Sequence, residues 1–95
     1  MEIIKNNVEG IKRNSVTLSV KYTPEATATW VFMGAKIKGK NSDKTIDIYE
    51  QNGMMREDLK IDFLKEDNQG IYTVQVTKDG CTTSGTIYLS VIEDL

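Results

Sequence analysis

Short runs of alternating apolar and polar residues follow one another along the chain. They are VTLSVKY, ATATWVF, KTIDIYE, DLKIDF, IYTVQV and TIYLSV. A period of two places successive side chains on opposite faces of a strand, so each run predicts a strand with one face for the core and one for water. Few segments show the 3.6-residue period of an amphipathic helix, and the only proline is Pro24. The sequence therefore predicts an all-β domain.

Turn-forming residues separate these runs. Asn52-Gly53 and Asp79-Gly80 each predict a tight hairpin, because both central residues of a type I′ turn need positive φ. The polar stretch from Lys38 to Lys44 is expected to be a solvated loop between sheets, since the Gly-x₄-Gly-Lys pattern of a phosphate-binding loop is missing there. Short strands with turn signals every 8–12 residues or so are typical of a sandwich of two antiparallel sheets.

Length and charge narrow the range of functions. The 95 residues suit one domain, and we expect them to form a single domain of a larger multidomain protein. Twelve basic and fourteen acidic residues give a net charge of -2, so a nucleic-acid partner is not expected. No apolar stretch approaches the ~20 residues that span a bilayer, so neither a membrane partner nor a secretory signal is predicted.

Histidine is absent and Cys81 is the only cysteine. The absence of histidine removes the usual general base, the Ser-His-Asp and Cys-His nucleophile pairs and the commonest zinc ligand. We therefore expect no enzymatic activity, no metal, no cofactor and no small-molecule substrate. A single cysteine cannot make an intrachain disulfide, and this favours a reducing, cytoplasmic compartment.

A spaced motif occupies the second half of the chain. It resembles the L-x-I-x-x-V/L…D-x-G-x-Y pattern of intermediate-set immunoglobulin domains, and its members here are Leu59, Ile61, Leu64, Asn68, Gly70 and Tyr72. Upstream, Val8-Glu9-Gly10 is similar to the family's V-x-E-G entry to strand B, and PEATATW to its approach to strand C. The resemblance implies a Greek-key immunoglobulin-like sandwich in which Tyr72 forms the tyrosine corner at the start of strand F.

The family's two bridging cysteines are missing. In register with the family, their places are taken by Val20 and Val74, and Trp30 is the tryptophan that the bridge normally covers. Losing the bridge forfeits roughly 4 kcal/mol by the loop-entropy estimate. Burying two valines contributes roughly 1.5–3 kcal/mol each, which can offset that loss. We expect these three side chains to meet in the core, without a disulfide.

Domains in this style resemble those of titin, myosin-binding protein C, myomesin and obscurin. The resemblance implies a non-enzymatic structural or protein-interaction module of an intracellular, filament-associated muscle protein, in the cytoskeleton or sarcomere. Its expected partners are other proteins, either filament proteins or neighbouring domains of the same chain, docked on a sheet face or an edge strand. The alternative is an extracellular adhesion or receptor domain that lacks the usual disulfide.

Three further features have a functional and a structural interpretation. Glu66-Asp67 suggests calcium, but the EF-hand ligand spacing is absent and a solvated loop is favoured. Cys81 is interpreted as an ordinary, partly packed thiol rather than a redox sensor. Three methionines offer adaptable apolar contacts, and core filling at the sheet edge is favoured over a binding surface for Met33, Met54 and Met55.

Overall fold

The structure is a computed structural model that describes residues 1–39 and 43–93. The alternating segments form nine strands: β1 (Glu2–Ile3), β2 (Asn7–Ile11), β3 (Val16–Tyr22), β4 (Thr27–Phe32), β5 (Ala35–Lys36), β6 (Lys44–Gln51), β7 (Met54–Ile61), β8 (Gly70–Lys78) and β9 (Cys81–Ile92). A 3₁₀ turn at Glu66–Asn68 lies between β7 and β8. The predicted all-β class is confirmed, because strands make up both layers.

Two sheets form the layers of a sandwich. One has four strands in the order β1-β3-β7-β6, and the other has five in the order β2-β9-β8-β4-β5. All pairs are antiparallel except β2 with β9, which run parallel at one edge, and the predicted sandwich of two antiparallel sheets is confirmed with that one exception. The chain changes sheet between β1 and β2, β2 and β3, β3 and β4, β5 and β6, and β7 and β8, and this is the predicted Greek-key connectivity.

Both predicted hairpin turns are present. Asn52 and Gly53 have φ of 53° and 80°, and Asp79 and Gly80 have φ of 52° and 77°. Positive φ at both central residues gives a two-residue turn whose twist matches that of the two antiparallel strands it connects. Of the predicted loop from Lys38 to Lys44, residues 40–42 lie outside the described residues, and Lys44 belongs to β6 rather than to the loop.

The core lies between the two sheets. Its fully buried side chains include Val20, Trp30, Leu59, Ile61, Leu64, Tyr72 and Val74, whereas Asn68 is 4% exposed and Gly70 is half-buried. Trp30 on β4 lies directly across from Val74 on β8, and Val20 belongs to the opposite sheet. Cys81, the only cysteine, is exposed on the surface. Val20 and Val74 therefore pack in the core without a disulfide.

The methionine prediction was wrong for Met33. This residue is 81% exposed because it is the first residue of the turn between β4 and β5, where its φ is 52°. Met54 is 37% exposed, and Met55 packs partly against the core. Alternation predicted which strand residues point inward, but it gave no information about a side chain that begins a turn.

Candidate interaction surface

A buried carboxylate joins the two sheets. Glu57 on β7 is 2% exposed and accepts a hydrogen bond from Trp30 Nε1 at 3.0 Å. The Tyr22 hydroxyl donates a second hydrogen bond to the same carboxylate. Burial, followed by this bond to Glu57, raises the pKa of Tyr22 above its ordinary value. These two hydrogen bonds fix the indole at the centre of the sandwich. Alternation did not predict them, because it assigns apolar residues to inward positions and Glu57 is a charged residue at one of those positions.

The motif residues around β8 form a local clamp. The Tyr72 hydroxyl donates to the main-chain oxygen of Asn68 at 2.6 Å, and the ring of Tyr72 stacks on Phe32 with centroids 4.1 Å apart. Burial raises the pKa of Tyr72, with smaller contributions from nearby carboxylates. Gly70 has φ of 146°, and a Cβ there would lie 3.1 Å from the Phe32 ring. The glycine therefore permits the close approach that seats the stacked rings.

Gly10 has a packing role on β2. A Cβ at this position would lie 2.3 Å from Cδ1 of Leu64, closer than side chains pack. Lys12, just beyond β2, pairs with both Glu66 and Glu93 at 3.0 Å. These contacts hold the β2 end against the 3₁₀ turn, so Glu66 belongs to an ion-pair network at this end of the fold.

The outer face of the four-stranded sheet is charged and internally bonded. Asp58 on β7 accepts hydrogen bonds from Ser19 at 2.7 Å, Tyr49 at 2.7 Å and Arg56 at 2.9 Å. Arg56 also donates to Gln51 at 3.2 Å. Burial opposes ionisation of Asp58, but these three donors outweigh it and hold its pKa below the ordinary value. Several polar side chains of this face therefore form hydrogen bonds with one another.

The outer face of the five-stranded sheet is chemically different. Register and burial place these residues at the outward positions of its three central strands: Thr27, Thr29, Val31, Ile71, Thr73, Gln75, Thr77, Thr82, Ser84, Thr86, Tyr88, Ser90 and Ile92. None of them is charged, although 27% of the chain is. Among residues 1–39 and 43–93, the side-chain pair that bonds across this face is Thr77 with Thr82, at 2.8 Å.

Exposed apolar side chains cross this face in one row. Ile71 on β8 lies directly opposite Tyr88 on β9, and they are 58% and 41% exposed. Met33 follows Phe32, the last residue of β4, and is 81% exposed near this row. We call the uncharged outer face of β4, β8 and β9, with Met33, the open face. Aromatic residues and methionine are enriched in protein interfaces and charged residues are depleted at interface centres, and the open face shares these features through Tyr88, Met33 and its lack of charge.

Other candidate chemistry is not brought together. Within the described part of the chain, no group of three or more His, Cys, Asp or Glu side chains is placed to hold a metal ion. Cys81, expected to be partly packed, is exposed at the start of β9. It lines a surface pocket with Met1, Met54 and Lys78. No helix among the described residues is long and apolar enough to cross a membrane.

Comparison with known proteins relates this architecture to solved structures. No protein-family model and no curated protein matches the sequence. A chain of the Dpr2 Ig1-Ig2 complex with DIP-Theta Ig1-Ig3 superposes with a TM-score of 0.84 at 18% identity, over 96% of this chain and 31% of that one. The chain has an immunoglobulin-like fold. Titin A168-A169 gives a TM-score of 0.79 at 23% identity, over 97% of this chain and 48% of that one.

A chain of the titin M10 complex with the obscurin-like 1 immunoglobulin domain gives a TM-score of 0.71 at 11% identity, over 98% and 94% of the two chains. The immunoglobulin-like domain therefore spans about a third of the Dpr2-complex chain and about half of the titin tandem. Identities below 25% establish the shared fold, which is found in titin as well as in Dpr2 complexes.

Proposed function

We propose that this domain is a non-enzymatic structural and protein-interaction module of an intracellular, filament-associated multidomain protein of the muscle type. Its partners are other proteins, either filament proteins or neighbouring domains of the same chain. The observation that carries the proposal is the disulfide-free core. Val20 and Val74 stand at the family's cysteine positions and are fully buried with Trp30, which is 1% exposed.

A core that has no disulfide is compatible with the reducing cytosol. A domain whose stability depends on apolar packing loses nothing in the reducing cytosol, where a bridge would not persist. The fold similarity to titin domains supports the same location. We expect the thermal midpoint to be the same with and without reductant, because Cys81 has no cysteine partner in the chain. A large fall on adding reductant would mean that Cys81 forms a stabilising disulfide between two chains.

Localisation tests the proposal directly. The domain, joined to a fluorescent protein and expressed in striated muscle cells, is expected to give periodic bands along the filaments. A matched Trp30→Ala fusion, in which the core is broken, controls for bands caused by the fluorescent protein. Diffuse fluorescence from the folded wild-type domain would overturn the filament assignment.

An extracellular adhesion domain is the second candidate function. The structural similarity to a chain of the Dpr2 and DIP-Theta complex, at a TM-score of 0.84, favours it. An antibody against the folded domain distinguishes the two locations in cells that make the native protein. Labelling of intact cells supports adhesion, whereas labelling that requires permeabilised cells supports the intracellular module.

A further inference from the structure

One apolar side chain faces the space between the sheets and stays uncovered. Ile48 on β6 lies directly opposite Glu57, whose side chain is buried between the sheets, so Ile48 faces the same way. It is nevertheless 59% exposed. On the other sheet, the edge strand β5 has two residues, which pair with Val31 and Phe32 near the end of β4. The sandwich is therefore open beside Ile48.

A groove of about 360 Å³ lies at this opening. Its apolar lining is Ala28, Trp30, Ile37, Ile46 and Ile48. Glu57 also lines it, but its carboxylate is already bonded to other side chains. Lys36 and Lys38 line the same groove and are exposed, and neither forms an ion pair within residues 1–39 and 43–93. The groove thus combines apolar side chains with two available positive charges.

The edge of β6 has main-chain groups without a neighbouring strand. β6 is the last strand of its sheet, and the Ile46 N–H donates to the main-chain oxygen of Gly39 at 2.8 Å, away from β7. Alternate residues direct their main-chain groups to the same side, so those of Ile48 and Glu50 point away from β7 as well. Within the described part of the chain, they form no main-chain hydrogen bond on that side. These two residues therefore offer two N–H and two C=O groups to an added strand.

We propose that this edge binds an extended segment of another protein, added antiparallel to β6, in which an apolar residue lies between a basic and an acidic residue. This inference rests on the proposed protein-interaction function and names the surface and the chemistry of the partner. The apolar residue lies opposite Ile48 and covers it. The basic residue, two positions earlier, lies opposite the exposed Glu50. The acidic residue, two positions later, lies beside Lys38, because the segment that contains Lys38 reaches β6 at Ile46.

A second copy of this chain fits the edge less well. A two-fold antiparallel pair of β6 strands centred on Glu50 sets two glutamates directly opposite each other, which is unfavourable. Moving the centre to Tyr49 places the main chain of the other copy opposite Ile46, where Gly39 already lies. Charge and space therefore favour a segment of a different protein.

Two peptides of the same composition test the proposal. One is TKTVTET, and the other, TETVTKT, exchanges its lysine and glutamate. We expect the first to bind the purified chain with a dissociation constant of roughly 0.1–1 mM, the range of short, weakly bound segments. The exchanged peptide should bind about fivefold or more weakly, because its charges meet like charges. Nuclear magnetic resonance titration measures both affinities, and the amide signals of Ile48 and Glu50 should shift most.

A methyl group on one peptide nitrogen tests strand addition itself. The central valine lies opposite Ile48, so its N–H bonds to β6, whereas the N–H of the following threonine points away. N-methylation of the valine should weaken binding about tenfold or more. The matched control is N-methylation of that threonine, which should weaken binding less than about threefold.

Exchanging two charges of the domain tests the register. The double variant Glu50→Lys with Lys38→Glu should prefer the exchanged peptide over the first by about fivefold. The matched control is Glu9→Lys with Lys60→Glu, which makes the same exchange at exposed positions that do not line the groove and should keep the original preference. Circular dichroism and thermal melting confirm that both variants are folded.

Four outcomes overturn the proposal. They are no binding of the first peptide at up to about 2 mM, equal losses from the two N-methyl groups, a preference that the double variant does not reverse, and signals of β6 that shift with the concentration of the chain alone, which would make a second copy the occupant. A domain that gives filament bands but binds neither peptide rejects this site and retains the proposed function. A domain that binds the first peptide but is labelled on intact cells retains the site and rejects the intracellular location.

Discussion

The two outer faces of this sandwich come from the same alternating pattern and differ in chemistry. On the four-stranded sheet, Asp58 collects donors from three side chains and Arg56 extends the network to Gln51. On the five-stranded sheet, Ile71 and Tyr88 lie exposed in a field of hydroxyl groups. The first face directs its polar groups to one another. The second leaves them available for another molecule, which is the property expected of a docking surface.

Both faces belong to sheets that pack on the same core, so we expect a substitution at the centre of that core to cause the largest loss of stability. Trp30 on the five-stranded sheet bonds to Glu57 on the four-stranded sheet, and it is 1% exposed. We expect Trp30→Ala to lower the free energy of unfolding by roughly 3–5 kcal/mol, the range for a core aromatic truncation. Urea denaturation measures the loss. A loss below about 1 kcal/mol would mean that the indole does not link the sheets.

The carboxylate of Glu57 should rank second. Glu57→Leu leaves the Trp30 N–H and the Tyr22 hydroxyl buried without their acceptor. An unsatisfied buried group costs about 1–3 kcal/mol, so we expect a loss of roughly 2 kcal/mol or more in urea denaturation. Glu57→Gln is the control, because its amide oxygen still accepts a hydrogen bond. Equal losses in the two variants would show that the hydrogen bonds are not responsible.

The charged outer face of the four-stranded sheet should make the stability of the domain depend on pH. The pKa of Asp58 is lowered in the folded domain, so folding favours its carboxylate form. Its contribution to stability is complete above the ordinary value of 3.8 and is lost as pH falls through the lower folded value. We expect the free energy of unfolding of the wild type to exceed that of Asp58→Asn by at most about 1 kcal/mol near pH 6, because the Arg56–Asp58 ion pair lies near the surface. Denaturation at pH 6 and pH 3 measures it.

That advantage should shrink at pH 3, and Glu50→Gln serves as the control because Glu50 is exposed on the same sheet. An advantage that is constant with pH would show that the asparagine acts through shape rather than charge. The same experiment sharpens the contrast between the faces, because the open face has no carboxylate at its central positions and should contribute no such dependence.

Sequence reasoning reached the fold because local patterns determine it. Alternation predicted which side of each strand Leu18 and Leu59 would occupy, and the Asn52-Gly53 pair predicted a hairpin through its backbone preference. The contrast between the faces was not foreseen, because it depends on which strands become neighbours. Ile71 and Tyr88 are distant in sequence, and their contact is fixed by the β8–β9 register. Met33 was misplaced because it begins a turn, where alternation ends.

The smallest effect on stability should come from adding a charge to the open face. Thr86 on β9 and Thr17 on β3 are both exposed, and they occupy central strands of the two sheets. We expect Thr86→Lys and Thr17→Lys each to change the free energy of unfolding by less than about 0.5 kcal/mol, as surface substitutions usually do. A loss above about 1 kcal/mol for Thr86→Lys alone would mean that folding itself excludes charge from the open face. Equal small changes would leave binding as the reason for its absence.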